Sequence, residues 1–138
     1  MAKIEKLLDF DCLRVSTPCI VDAKDYERVP GSPTQVYCDR ADWDTGATVS
    51  VISERLVEQL GLVPVGKTKI SGYNGKPTIT NEYRIDLRLS EDVAIDFVNV
   101  VEAPLITMDL LIGMNVINQG DFRLNFRKAP KSFTFEID

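Results

Sequence analysis

A chain of 138 residues with 44% hydrophobic content is long enough for one folded domain with an ordinary core, and it is too apolar for a disordered segment. Its net charge of -5 argues against a nucleic-acid-binding surface, because phosphate neutralisation needs clustered Lys and Arg. The chain contains no histidine, which excludes Ser-His-Asp and Cys-His nucleophile activation and any histidine-containing zinc site.

The beginning of the chain is expected to form an arm. We predict an N-terminal arm over residues 1–30, packed on a domain of residues 31–138. The cluster Pro30-Gly31-Ser32-Pro33 is a strong turn signal and predicts the break between them. Leu13 and Ile20 give the arm apolar side chains to bury, so we expect it to pack on the domain.

The cysteines and the apolar runs bear on the compartment. Cys12, Cys19 and Cys38 lack the spacing of a metal site, and we expect buried, reduced thiols. The sequence shows no apolar run of signal-peptide or membrane-spanning length. We therefore expect a cytoplasmic protein with no membrane partner, no metal and no cofactor.

Period-two alternation of apolar and polar residues dominates the rest of the chain and predicts half-buried strands. It is found at residues 35–38, 83–89, 94–101, 122–126 and 133–137. A helix is predicted over residues 53–60, with Ser53 as its N-cap and Gly61 closing it. Ser53 is interpreted as a cap and not as a nucleophile, because no base is available to activate it. A second, shorter helix is expected near Met114, so the pattern indicates a mainly β domain.

Three short segments follow one another along the chain. The first is Asp44-Thr45-Gly46, which by itself is more often an ordinary turn than a catalytic site. The second is the hairpin tip Gly72-Tyr73-Asn74-Gly75, and the third is Asp109-Leu110-Leu111-Ile112-Gly113-Met114-Asn115-Val116-Ile117. In this order they resemble a retropepsin-like aspartic protease of the retroviral type, over residues 34–127.

The resemblance implies an all-β fold, with a closed retropepsin-like barrel, a flap hairpin and one or two short helices. Residues 69–80 would form the flap, in which Gly72 and Gly75 permit the turn and the motion. Tyr73 and Asn74 would lie at its tip and contact the substrate. The substrate would bind as an added extended strand.

By the same resemblance, Asp44, Thr45 and Gly46 are the catalytic residues. Asp44 would act as shared acid and base, Thr45 would hydrogen-bond across a dimer, and Gly46 would let backbone approach the substrate closely. The chain carries one Asp-Thr-Gly and is too short for two lobes. The resemblance therefore implies a homodimer with two Asp44 side chains at its two-fold axis.

Further positions take substrate-binding roles by resemblance. Ala47 is small enough to leave room for a peptide. Thr48 would lie beside the catalytic loop, and Ile112 would lie beneath it. Retroviral enzymes have an Asp–Arg ion pair at the positions held here by Thr48 and Met114. Because both partners are missing, we expect the N-terminal arm or the strand at 133–137 to supply interface area instead.

Two functions remain open. The first is a homodimeric aspartic endopeptidase that hydrolyses extended peptide segments by general acid/base activation of water between two Asp44 carboxylates. The alternative is a non-proteolytic peptide-binding or dimerisation module of the same fold. The intact triplet favours the first, because a pure binding module has no need of an ionisable pair.

Overall fold

The computed structural model describes residues 2–9, 14–71 and 75–138. In this part of the chain the elements follow in the order β1 (Ala2–Leu7), β2 (Val15–Asp22), β3 (Gln35–Trp43), β4 (Ser50–Ser53), α1 (Glu54–Leu60), β5 (Gly66–Ser71), β6 (Pro77–Arg88), β7 (Ala94–Ala103), β8 (Leu110–Ile112), α2 (Met114–Ile117), β9 (Asp121–Asn125) and β10 (Ser132–Ile137). The mainly β content confirms the prediction from period-two alternation.

Six of the strands close into a barrel. Their order around the wall is β2-β3-β8-β4-β7-β6, and β6 pairs back onto β2. The pairs β3–β8 and β4–β7 are parallel, whereas the other neighbours in the wall are antiparallel. The closed barrel of the predicted fold class is therefore confirmed.

The barrel interior is filled by alternate residues of its strands, because successive side chains of a strand point to opposite faces. Fully buried members are Val21, Ile85, Leu87, Val100, Leu110 and Ile112. Cys19 and Cys38 are buried opposite each other on β2 and β3 and are not bonded to one another. Cys12 lies outside the described residues.

A hairpin extends beyond the wall. β5 pairs antiparallel with the first half of β6, from Gly66 opposite Glu82 to Ser71 opposite Pro77. Residues 72–74, which hold part of the predicted flap tip, lie outside the described residues. Gly75 follows them with φ of +78°, a conformation that glycine adopts without steric cost.

Helix α1 has the ends predicted from the sequence. The Ser53 hydroxyl accepts the Leu56 N–H at 3.0 Å, and Gly61 ends the helix with φ of +62°. A Cβ on Gly61 would also lie 2.1 Å from the Ser32 hydroxyl oxygen, so the position has no room for a side chain. The shorter α2 begins at Met114, as expected. Within the described ranges, neither helix is long and apolar enough to cross a membrane.

A second, smaller sheet packs against the C-terminal end of β3. Its order is β1-β10-β9, all antiparallel. Phe133 and Phe135 of β10 are fully buried, and their ring centroids lie 5.0 and 4.9 Å from that of Trp43. The Trp43 indole Nε1 donates to the Thr17 hydroxyl at 2.9 Å. The small sheet is thereby anchored on Trp43, the residue that precedes Asp44 in the chain.

Residues 1–30 contribute to both sheets. β1 pairs with β10 in the small sheet, and β2 forms part of the barrel wall between β3 and β6. The division of the chain into an arm and a domain stays a prediction.

Candidate active site

Asp44 lies where β3 leaves the barrel wall. β3 and β8 run parallel with Trp43 opposite Ile112, and the Asp44 N–H donates to the Ile112 carbonyl at 2.8 Å. The chain then turns, and the Ala47 N–H donates back to the Asp44 carbonyl at 3.2 Å. The carboxylate oxygen Oδ1 of Asp44 accepts the Gly46 N–H at 2.8 Å. The backbone thus aims a carboxylate that remains partly exposed.

The segment of residues 44–49, which we call the triplet turn, rests on Gly113. A Cβ on Gly113 would lie 2.7 Å from both the carbonyl carbon and the oxygen of Val49, and 2.9 Å from the Ala47 oxygen. Next to it, the Met114 N–H donates to the Ala47 carbonyl at 2.7 Å. The two segments that the sequence separates by more than sixty residues are therefore in direct backbone contact.

A polar network closes the far end of the triplet turn. The Ser50 N–H and hydroxyl donate to the Asn115 side-chain oxygen at 2.9 and 2.8 Å, and the Gly113 N–H donates to the Ser50 hydroxyl at 3.0 Å. The Asn115 Nδ2 donates in turn to the Asn99 carbonyl at 2.8 Å. These hydrogen bonds pair the polar groups of Ser50 and Asn115 with partners from three segments of the chain, which rigidifies the turn.

Sequence reasoning assigned no role to Ser50 or Asn115. Asn115 lies inside the third motif, two residues after Gly113, and a polar residue in that apolar run was the available signal. Its partner Ser50 is fully buried on a strand of four residues, where nothing local marks it.

A cavity of about 620 Å³ opens on one side of the triplet turn, and we call it the β9-side cavity. It exposes Asp44 and Thr45 together with apolar side chains of the small sheet. Its lining consists of Arg14, Val15, Asp42, Trp43, Asp44, Thr45, Met108, Leu111, Phe122, Leu124 and Phe126. Leu124 of β9 and Phe126, which follows the end of β9, are 43% and 44% exposed.

A second cavity of about 560 Å³ lies between the triplet turn and β5, and we call it the β5-side cavity. It brings together Gly46, Ala47 and Thr48, three of the predicted site residues. Further lining comes from Val49, Val51, Thr68, Lys69, Ile70, Ser71, Glu82 and Val101. The triplet turn thus contributes to both cavities, Asp44 and Thr45 to the first and residues 46–49 to the second.

The remaining predicted site residues lie in different surroundings. Ile112 is fully buried beneath the triplet turn and contacts it through its carbonyl oxygen. Gly75 is exposed at the start of the return to β6. Gly72, Tyr73 and Asn74 lie outside the described residues.

Asp42 is a second acidic residue near the site, but its charge is neutralised locally. It is 6% exposed and accepts the Ser16 hydroxyl at 2.6 Å and the Arg40 guanidinium at 2.9 and 3.1 Å. Burial raises the pKa of the Asp42 carboxyl, but the hydrogen bonds and charges of Arg40, Ser16 and Arg14 outweigh burial and hold the pKa below its usual value. Asp42 therefore stays ionised and paired, which leaves Asp44 as the carboxylate available at the cavity.

Metal ions bind where several ligating side chains converge. Among the described residues, no three His, Cys, Asp or Glu side chains come together in a group that could hold one.

One known protein family matches the sequence of this chain. The family described as "gag-polyprotein putative aspartyl protease" matches residues 40–119, which contain both the triplet turn and the Gly113 segment. No curated protein sequence matches the chain.

Two solved structures share the fold. A retropepsin-like aspartic protease from Rickettsia conorii superposes with a TM-score of 0.63 at 11% identity, over 97% of this chain and 90% of that one. The retroviral protease-like domain of Ddi1 from Leishmania major superposes with a TM-score of 0.54 at 17% identity, over 91% and 96%. The chain therefore belongs to the gag-type aspartyl protease family and has the retropepsin-like fold.

Proposed function

We propose that the protein is a homodimeric aspartic endopeptidase in which the Asp44 carboxylates of two copies activate one water molecule. The observation that carries this proposal is the aim of Asp44. Its Oδ1 accepts the Gly46 N–H at 2.8 Å, its own N–H is bound to the Ile112 carbonyl, and it opens onto the β9-side cavity. Behind it, the backbone of Gly113 and Met114 packs against Ala47 and Val49 and holds the turn in place.

The proposed reaction needs two carboxyl groups in different protonation states. Two carboxyls about 3 Å apart share one proton, because like charges at that distance cannot both ionise. The ionised carboxylate takes a proton from water, whose oxygen attacks the scissile carbonyl carbon. The protonated carboxyl gives its proton to the carbonyl oxygen. The carboxyl that took the proton from water then gives it to the nitrogen as the C–N bond breaks, and the other carboxylate takes one hydroxyl proton from the gem-diol intermediate. An amine and a carboxylic acid are released, and the pair again shares one proton.

The second copy is proposed to dock on β9. β10 is covered on both edges, by β1 and by β9, whereas the outer edge of β9 pairs with no strand in the described part of the chain. Pairing of two β9 edges about a two-fold axis would join the two small sheets and satisfy these open backbone groups. The exposed Leu124 and Phe126 would be buried, next to Asp44 and Thr45.

The strand at 133–137, which was expected beside the N-terminal arm as a source of interface area, buries two of its side chains within its own chain. Phe133 and Phe135 are fully buried against Trp43. We therefore propose β9 as the central interface strand, and a contribution from the arm or from the 133–137 strand stays a prediction.

The proposed substrate is an extended peptide segment lying across Asp44. The β5-side cavity offers backbone of Gly46 and Ala47 on one wall and β5 on the other, as strand addition requires. The predicted flap, at the tip of the β5–β6 hairpin, would close over the peptide.

The proposal is tested by cleavage of a peptide library with the wild-type chain and with Asp44→Asn. We expect Asp44-dependent hydrolysis with a bell-shaped pH–rate profile, because the pair works with one proton. Equal turnover by both proteins, or none by either, would defeat the endopeptidase and leave the non-proteolytic module.

A mixture of the wild-type chain with Asp44→Asn tests whether the two copies share one site. If each dimer needs Asp44 from both copies, an equal mixture of the two proteins that has exchanged subunits should show about half the activity per wild-type chain. Undiminished activity per wild-type chain after complete exchange would show that Asp44 of one copy suffices.

The proposed β9 interface is tested by Leu124→Glu. This variant should lower the dimer fraction in analytical ultracentrifugation and the activity in parallel.

A further inference from the structure

The loop of residues 104–109 joins β7 to β8 and is held from the side by one residue of α1. The Arg55 Nη1 donates to the Leu105 carbonyl at 3.0 Å, and Nη2 donates to the Met108 carbonyl at 3.3 Å. The same Nη2 lies 3.1 Å from Asp109 Oδ1. One guanidinium therefore contacts both the beginning and the end of the 104–109 loop.

The geometry of these contacts suits arginine in particular. A guanidinium presents five N–H donors in one plane, so it can reach several acceptors that lie on different sides of it. A lysine ammonium could keep the ion pair with Asp109 but is too compact to reach both carbonyls as well. The Ser53 hydroxyl also donates to Asp109, at 2.7 Å, and anchors the carboxylate that Arg55 meets.

One side chain of the 104–109 loop reaches the candidate active site. Met108 lines the β9-side cavity together with Asp44 and Thr45. Ile106 is 85% exposed, an unusual state for a large apolar residue on a braced loop. The loop continues into β8, whose Ile112 carbonyl accepts the Asp44 N–H.

We propose that Arg55 is a positioning residue that fixes the 104–109 loop as one wall of the peptide groove. Met108 on that wall contacts the substrate side chain next to the scissile bond and selects an apolar one. This inference rests on the proposed endopeptidase function. The Arg55 side chain is 56% exposed, so its contacts add little to global stability and act on the loop.

The test compares Arg55→Met with Arg88→Met. Methionine keeps an unbranched side chain and removes every donor. Arg88 is a matched control, because it is 53% exposed and also faces one carboxylate, that of Asp22, at 3.7 Å. Arg55→Lys separates the charge from the planar fork of donors. Amide hydrogen exchange, urea unfolding and kinetics on two peptides that differ only by Leu or Ala beside the scissile bond are measured for each protein.

In Arg55→Met we expect amide exchange at residues 105–109 to rise roughly tenfold, as loss of one or two hydrogen bonds to a charged group implies. Pro104 has no N–H and gives no signal. The kcat/KM preference for the Leu peptide should fall severalfold, through a higher KM for that peptide. Arg55→Lys should behave similarly, and Arg88→Met should match the parent in both measurements.

Two results would overturn the inference. One is wild-type protection of the amides of residues 105–109 in Arg55→Met, and the other is a loosened loop with an unchanged Leu over Ala preference. Both are distinct from failure of the proposed function, which would appear as absence of Asp44-dependent cleavage in the parent protein.

Discussion

Gly113→Ala is the substitution whose effect follows most directly from the structure. The new Cβ would lie 2.7 Å from the carbonyl carbon and oxygen of Val49 and 2.9 Å from the Ala47 oxygen. The first two distances are about 0.7 Å short of ordinary van der Waals contact. These are backbone atoms, which cannot rotate away as a flexible side chain could. The φ of Gly113 is -99°, so the expected effect is steric and not conformational.

The triplet turn must therefore move away from β8. We expect a loss of about 1–3 kcal/mol in the free energy of unfolding, as overpacking produces in well-packed interiors. Because the Ala47 carbonyl is displaced, the hydrogen bond from Met114 lengthens and Asp44 shifts. A shift approaching 1 Å at a catalytic group lowers kcat by roughly 10²-fold.

Urea unfolding and peptide cleavage measure the two effects, with Gly66→Ala as the matched control. A Cβ on Gly66 would meet no atom within 4 Å, so this variant should stay within about 1 kcal/mol of the parent and keep its activity. If Gly113→Ala were as stable and as active as Gly66→Ala, the contact between the two segments would not hold the turn. If it were destabilised with normal kcat, the position of the turn would not control the chemistry.

Three further predictions concern groups around the site. Asn115→Ala leaves the buried Ser50 N–H and hydroxyl without their acceptor, and urea unfolding should show a loss of about 2–3 kcal/mol, which an unchanged midpoint would contradict. Thr17→Val removes the acceptor of the Trp43 indole, and a double-mutant cycle with Trp43→Phe should give a coupling of about 1 kcal/mol; a coupling near zero would mean that the bond contributes nothing. The pKa of Asp42 is lowered in the folded state, so its contribution to stability is present above the unfolded pKa of about 4 and is lost as pH falls further. The urea midpoint of the wild-type chain should therefore drop on acidification, and that of Asp42→Asn should drop less.

Local patterns predicted the elements in which one face is buried and the other is solvated. The alternation at 83–89 covers the second half of β6, which ends at Arg88, and that at 94–101 lies within β7. The cap at Ser53 and the end at Gly61 are confirmed, because both depend on backbone conformation within one or two turns of chain.

β2 was not recognised as a strand, for a physical reason. Its buried positions include Thr17 and Cys19, and Pro18 interrupts it where its register against β3 shifts. Polar and small residues on the inward face weaken a period-two signal. The first half of β3 was recognised, but Asp39 and Asp42 hid the rest, since the burial of Asp42 depends on hydrogen bonds from Ser16 and Arg40.

The sequence by itself determined the residues of the triplet, the strand pattern and the motif around Gly113, because each is written in neighbouring residues. Tertiary structure alone decided what supports them: the Ser50–Asn115 bonds span 65 residues, and the Arg55–Leu105 bond spans 50. Such contacts depend on which strands are neighbours and in what register, and no local period encodes that. The parallel pairing of β3 with β8 is what brings Asp44 and Gly113 together.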